Sequence, residues 1–483
     1  MQIKSQFRII VLHMKQVKWM GILVFTVLGI ASLWFYRERV IYLDSAYYAF
    51  SMINKDFPSA EHNRHALYLY QLIPWILLKL NTPVTLVLMA FSLCHTLLHA
   101  VAFYLLLRIR QSGLAAILVL MQVISYRECF FLAVNETALA ISASLLLAGY
   151  LEYFREQRPK PLTEGLIYFS CTLTALFSHP MAMILIPFVI VYHLIWRSSA
   201  NVRKQSVLLA LAAFAGIFLL KKFTSQSSGY ENDLFAQLGR TGEILGDLGN
   251  VYSFNFFFGE FRIRSYFFTI YIVPLAIAIY CTAMLIIRRQ YLLLAFYMCS
   301  VIGFWLLIVI FFNRGDGNIF MEKNFTPWVL VSVYPLIHLV DAGRRSIRIP
   351  AMAISTGILL FSFYGMYQVT PMYKKRLYLM DQLITVKNPS GKAKLLIQDS
   401  TVNHDEWLGI WALPYETLLL SKVKKIPNTT ARIYHNEEHI NKELHRTDIF
   451  LGADFIPVLP ASYLLNQKHF RLPEETYTLI EQP

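Results

Sequence analysis

The sequence predicts an all-α polytopic membrane helical bundle, of about eleven spans with the N-terminus inside and the C-terminus outside, followed by a small α/β extracytoplasmic C-terminal domain. Three observations predict it. Hydrophobic residues make up 56% of the 483-residue chain and charged residues 15%, against about 45–50% and about 25% in soluble domains. Apolar runs near the roughly 20 residues that a bilayer crossing needs recur through residues 1–369. The segment 370–483 has ordinary soluble composition.

The candidate spans are residues 18–36, 82–107, 113–133, 135–154, 163–179, 181–197, 205–222, 266–287, 291–312, 325–342 and 350–369. The first follows Lys4, Arg8, Lys15 and Lys18, lacks a small-x-small cleavage site, and reads as an uncleaved first helix that leaves the N-terminus inside. Alternation then puts Arg108 and Arg110, Arg155, Arg158 and Lys160, Arg197, Arg203 and Lys204, Arg288 and Arg289, and Arg344, Arg345 and Arg348 in inner loops. That is the bias of the positive-inside rule, and Lys221–Lys222 is its main exception. The apolar stretch His65–Leu80 is short and broken by Pro74. Counting it as a span would reverse every later cluster, so it reads as a re-entrant or interfacial element.

Two outer loops, 37–81 and 223–265, are too long to be turns. The second holds the amphipathic DLFAQLGRTGEILGDLG and the Phe-rich FNFFFGEF, which reads as interfacial. In the tail, KLLIQDS, TARIYH and TYTLIE read as strands and YETLLLSKV as a helix. The formal net charge of +14 sits in short clusters between apolar runs, which serves orientation and leaves no separate domain for nucleic acid. Cys94, Cys129, Cys171, Cys281 and Cys299 form no CxxC or Cys/His spacing, so they read as small buried apolar residues.

The residues with chemical potential gather at loops. The first outer loop packs Asp44, Asp56, Glu61, His62, Arg64 and His65 among aromatics. Asp44 lies just past the first span beside Tyr47–Tyr48, where partial desolvation would make its carboxylate a better base. Its competing structural use is to cap the helix SAYYAFSMI. Arg127, Glu128 and Glu136 lie on the next outer turn, and Glu136 opens a span where an unpaired charge is costly. His179 precedes Pro180 at a span end, and NRGDGNIFMEKNFTP carries Arg314, Asp316, Glu322 and Lys323. His95 and His99 have metal-pair spacing but no acidic third ligand, so they read as a packing contact.

The run of these features resembles the C-type (GT-C) membrane glycosyltransferases, among them protein O-mannosyltransferases and aminoarabinose transferases. YLDSAYYAF matches the family's early acidic element. HNRHALYLYQLIPWILLKLNTPVTLVLMAFSL matches the segment that leads to a basic inner end at Arg108, and VNETALAISASLLLAGYLEYF, with Glu136, matches the second acidic element. SHPMAMILIPFVIVYHL resembles a later stretch. A single Asp44 followed by Ser stands where many members have paired acids, and HNRHA replaces an HPP triplet. The resemblance covers roughly the first 200 residues. It implies inverting transfer of a sugar from a polyprenyl-phosphate carrier to a lipid, glycan or protein acceptor at the outer face. Asp44 would be the general base, Glu136 the second catalytic acid, and His62, Arg64, Arg127, His179, Arg314, Glu322 and Lys323 the substrate-binding set. No cofactor is implied with certainty; the leaving phosphate needs either these cations or a divalent metal. The expected location is a bacterial inner membrane with the C-terminal domain in the periplasm. Rival readings are a polysaccharide polymerase or ligase using a lipid-linked oligosaccharide, a secondary transporter or lipid flippase, and a scaffold that docks partners through the outer C-terminal domain.

Overall fold

A computed structural model describes residues 2–124, 127–157, 159–196, 204–224, 229–258, 270–314, 317–337, 348–388, 391–435, 438–453 and 458–480. The chain is mostly helical, with a small parallel sheet near the C-terminus. Its first half comprises α1 (Gln2–Trp34), α2 (Tyr36–Val40), α3 (Leu43–Lys55), α4 (Tyr68–Lys79), α5 (Val84–Arg108), α6 (Ser112–Met121), α7 (Glu136–Gln157), α8 (Pro161–Leu176), α9 (Ala182–Trp196) and α10 (Lys204–Thr224). Three short helices follow, α11 (Gly229–Ala236), α12 (Thr241–Gly246) and α13 (Tyr252–Phe258). Then come α14 (Ile272–Ile287), α15 (Tyr291–Phe311), α16 (Asn318–Val333) and the long α17 (Arg348–Thr385).

Among the described residues, five segments are long and apolar enough to cross a membrane: Lys15–Trp34, Val84–Arg108, Glu136–Arg155, Gln205–Thr224 and Tyr291–Phe311. Ser112–Met121, Ala182–Trp196 and Ile272–Ile287 are shorter apolar helices. Such a set is what a multi-pass membrane protein requires. Many large apolar side chains point outward, among them Leu208, Leu292 and Ile302, as lipid-facing positions do. α1 packs on α5 and α6, α7 on α8, and α16 on α14 and α15. His95 and His99 are a packing contact, as expected: their rings lie 4.7 Å apart against Tyr70, and His99 Nδ1 is 2.7 Å from Ser142 Oγ.

Several expected boundaries shift, each for a physical reason. The span expected at 113–133 is helical only to Met121, and a 3-10 turn at Cys129–Phe131 follows. The buried Glu322 carboxylate accepts the backbone N–H groups of Arg127 and Glu128, which gives this non-helical backbone its partners. The span expected at 325–342 starts earlier, at Asn318, so that Glu322 and Lys323 sit within a helix. Within the Phe-rich patch, Phe256 and Phe257 are buried against Tyr271 and Phe325, and Phe257 also meets Trp328. Helix α17 does not end with its apolar stretch near residue 369 but runs on to Thr385. A buried stripe of Val369, Tyr373, Arg376, Met380 and Leu383 keeps the helical period through Pro371.

The C-terminal segment forms strands β1 (Lys394–Gln398), β2 (Thr430–Tyr434), β3 (Ile449–Phe450), β4 (Leu459–Pro460) and β5 (Thr478–Ile480). The three-stranded sheet has order β2-β1-β5, all parallel, with Lys394 opposite Thr430 and Leu395 opposite both Ala431 and Thr478. Parallel pairing needs a crossover between the strands. Helix α18 (His404–Trp407) and helix α19 (Leu413–Lys424) lie in the connection from β1 to β2, and α19 packs on both β2 and α3. Short helices α20 (Glu438–Asn441) and α21 (Ala461–Leu464) complete the unit. Helix α3 is therefore the bridge between bundle and sheet. Its Phe50 ring lies 4.8 Å from Tyr415 and 4.9 Å from Phe470, and Asn54 exchanges hydrogen bonds with Leu464 and Asn466.

Candidate active site

The start of α3 explains how Asp44 is presented. Leu43 has φ 41, a left-handed conformation unfavourable for a residue with a Cβ, and it turns the chain sharply into the helix. The carboxylate of Asp44 does not cap this helix, because Tyr42 occupies the N-cap and no side chain caps from within the loop. The capping carboxylate comes from far away: Leu43 N–H donates to Glu416 Oε1 of α19 at 2.6 Å. Arg376 of α17 in turn donates to Glu416 Oε2 at 2.6 Å, to the Trp407 carbonyl at 2.5 Å and to the Gly409 carbonyl at 3.0 Å. Asp44 is thereby left free to face a cavity.

That cavity has a volume of about 1070 Å³, and among its charged side chains Asp44, Arg64, Glu136 and Lys323 form one linked set of ion pairs. Lys323 Nζ lies 3.6 Å from Asp44 Oδ2 and pairs closely with Glu136 Oε2. Arg64 Nη1 donates to Glu136 Oε1 at 2.8 Å. Two carboxylates and two cations thus alternate, which satisfies the rule that buried charges are paired. Their exposures differ. The Glu136 side chain is 1% exposed and held from both sides, whereas Asp44 keeps 21% of its side-chain surface open. Burial raises the Asp44 carboxyl above the ordinary carboxylate range; Lys323 opposes the shift and the Glu136 charge reinforces it. Arg64 Nε is buried without a hydrogen-bond partner among the described residues.

Local backbone sets these positions. His62 and Asn63 have φ 53 and 57, two left-handed residues that fold the loop so that Arg64 turns inward. Glu136 is the first residue of α7, where the helix N-terminus favours a carboxylate. His179 follows α8 at the turn into α9 and accepts the Met181 N–H on Nδ1 at 3.2 Å.

Of the residues singled out in the sequence, Asp44, Glu61, His62, Arg64, Glu128, Glu136, His179 and Lys323 line this one cavity. Arg127 and Glu322 meet each other, but Glu322 spends its carboxylate on the 127–128 backbone and lies outside the lining. Arg314 is exposed and is not among the lining residues, because Phe311 and Phe312 before it and Gly317 after it take that wall. Asp316 lies outside the described residues. Among the described residues no group of three or more His, Cys, Asp or Glu side chains is disposed to hold a metal ion. The space between Asp44 and Glu136 is filled by the Lys323 ammonium, so the donor set does not fit a resident divalent metal.

Sequence reasoning missed Arg376 and Glu416, the clamp on α3, and did not bring His404, Asp405 and Trp411 of the tail, with Leu408 and Gly409, to the cavity wall. The available signal was an Arg and a Glu embedded in apolar helical stripes, where an ionisable residue needs a partner. The remaining wall is apolar, including Met183, Ile184, Leu234, Phe235 and Phe311. No protein-family model matches the chain, and neither does any curated protein.

Proposed function

We propose that this chain is an inverting membrane glycosyltransferase of the GT-C kind, which moves a sugar from a polyprenyl-phosphate carrier to an acceptor hydroxyl at the outer face. The observation that carries this reading is the pairing, in one cavity, of a half-open carboxylate with two buried cations beside an apolar wall. Each part has a task. Asp44 takes the proton from the acceptor hydroxyl as its oxygen forms the new bond to the anomeric carbon. The bond from that carbon to the phosphate oxygen breaks in line, and its electron pair leaves with the polyprenyl phosphate. Lys323 and Arg64 face that growing negative charge, and the unpartnered Arg64 Nε supplies a free donor to a phosphate oxygen. Glu136 holds the two cations in place. The apolar wall suits the first isoprene units of the carrier.

The helix count supports an outer-face location. Taking α1, α5 to α10 and α14 to α17 as spans gives eleven crossings; α6, with 10 residues, is shorter than α4, with 12, so α4 is left out not by length but because counting it would put the later basic clusters on the Asp44 side. The contact of α3 with the C-terminal sheet unit requires an even number of crossings between them, which this assignment supplies. Arg108, Arg155 and Arg288 then share the side opposite Asp44, as the positive-inside rule asks.

The test is transfer by purified protein in liposomes, given radiolabelled undecaprenyl-phosphate and dolichyl-phosphate sugars with membrane extract. The expected result is label in the extract with release of polyprenyl phosphate. Transfer only from lipid-linked oligosaccharide would favour the polymerase or ligase reading. Movement of intact lipid-linked sugar across the bilayer without transfer would replace both with a transporter.

A further inference from the structure

One wall of the cavity belongs to the C-terminal domain, and that wall is held in a shape it would not adopt alone. Leu408 and Gly409 have φ 50 and 101, consecutive left-handed residues, and such strain persists only where the surroundings over-determine it. Here they do. Arg376 binds the carbonyls of Trp407 and Gly409, and Tyr42 OH donates to the Leu408 carbonyl at 2.9 Å. A Cβ on Gly409 would stand 3.0 Å from the Leu43 side chain, so this loop is pressed against the residue that precedes Asp44.

The pinned loop presents a particular chemistry. Trp411 is half-buried, and its ring lies 5.8 Å from Tyr47 at 54°. Tyr47 is itself fixed, its OH donating to Glu61 Oε1 at 3.0 Å and its ring lying 5.2 Å from Tyr415. Glu61, held by the Tyr47 hydroxyl, and Asp405 line the same cavity. A sugar ring has an apolar C–H face and a rim of hydroxyl donors. Rigid aromatic faces suit the first, and carboxylates, which only accept, suit the second.

We propose that Trp411, Tyr47, Asp405 and Glu61 form a saccharide-binding subsite, in which Trp411, backed by the buried Tyr47 ring, stacks on a sugar face and the carboxylates accept its hydroxyls. Calling its occupant the acceptor's sugar rests on the transferase reading above; the binding itself does not. The loop clamp pre-organises the subsite against the base-bearing helix, which keeps a bound hydroxyl near Asp44.

The experiment is saturation-transfer NMR on the full chain in nanodiscs, with methyl glycosides of common hexoses and pentoses as probes. Wild type and Asp44→Asn are expected to saturate the ring C–H protons of at least one glycoside, since Asp44 acts on chemistry rather than on stacking. Trp411→Ala is expected to lose that signal, and Trp411→Phe, which keeps a ring and the packing on Tyr47, to retain it. A signal that survives saturating undecaprenyl-phosphate sugar assigns the subsite to the acceptor, and displacement assigns it to the donor's sugar. No signal in wild type, or an equal signal in Trp411→Ala, would overturn the subsite whatever the transfer assay gives.

Discussion

Asp44 and Glu136 share one ammonium group, yet their surroundings assign them different work. Glu136 accepts a hydrogen bond from Arg64, forms an ion pair with Lys323 and has almost no open surface, so its charge is committed. Replacing it by Gln would leave two buried cations short of a partner. Breaking a buried pair in this way costs about 3–5 kcal/mol, so Glu136→Gln is expected to lower the thermal midpoint of the purified protein markedly as well as its activity. Asp44 has one cation, at 3.6 Å, and open surface toward the cavity. Because burial raises its carboxyl, the proton stays on to higher pH than on a free aspartate, whose pKa is about 3.9. The base form is needed for transfer, so activity is expected to fall as pH drops through this raised value, with an acid limb above the usual carboxylate range. A kcat/KM profile that stays flat down to the ordinary aspartate range would contradict that assignment.

At the scale of elements, α3 matters most, and its fixings come from residues more than 300 positions later in the chain: Leu43 N–H reaches Glu416, and Tyr42 reaches Leu408. Glu416→Gln removes the charge that Arg376 neutralises, and Arg376→Met strands Glu416; each is expected to destabilise the fold by about 3–5 kcal/mol. The double variant, with both charges gone, is expected to recover part of that loss, and a double-mutant cycle on thermal or denaturant midpoints checks it. Gly409→Ala would combine an unfavourable left-handed φ with the contact to Leu43 and is expected to cost about 1 kcal/mol or more. Much at this scale was legible in advance. The strands at KLLIQ, TARIY and TLI and the helix over YETLLLSKV follow from their period and bounding residues. The continuation of α17 was not, because hydropathy ends at residue 369 while helical propensity and a buried stripe run on. Nor was the clamp, since local sequence carries no mark of which distant carboxylate will meet an amide. Asp44, Arg64, Glu136 and Lys323 could be named as candidates because ionisable groups at the ends of apolar runs are costly unless used. Their order in space, cation between carboxylates, is a product of packing alone.

For the whole molecule, the contact between α3 and the C-terminal domain ties topology to function. On the proposed eleven-span assignment both lie on one side of the membrane, and the basic helix ends at Arg108 and Arg110 on the other. Single cysteines at exposed positions read this out: Lys468→Cys is expected to react with an impermeant maleimide from outside intact cells, and Arg110→Cys only after permeabilisation, in a background lacking the native cysteines. Labelling of both from the same side would break the eleven-span assignment. The same arrangement makes the C-terminal domain part of the cavity, since His404, Asp405 and Trp411 line it together with Asp44 and Lys323.

The account rests on Asp44 as the base, and one comparison addresses it most directly: sugar transfer from labelled polyprenyl-phosphate donors by wild type and by Asp44→Asn, with the fold of each checked by gel filtration and thermal melting. Asparagine keeps the size and removes the proton acceptor. General-base loss typically costs about 10²–10⁴-fold, so the variant is expected to fold like wild type, bind the donor and lose nearly all transfer. Equal transfer by the two proteins would contradict the central claim and return Asp44 to a structural role.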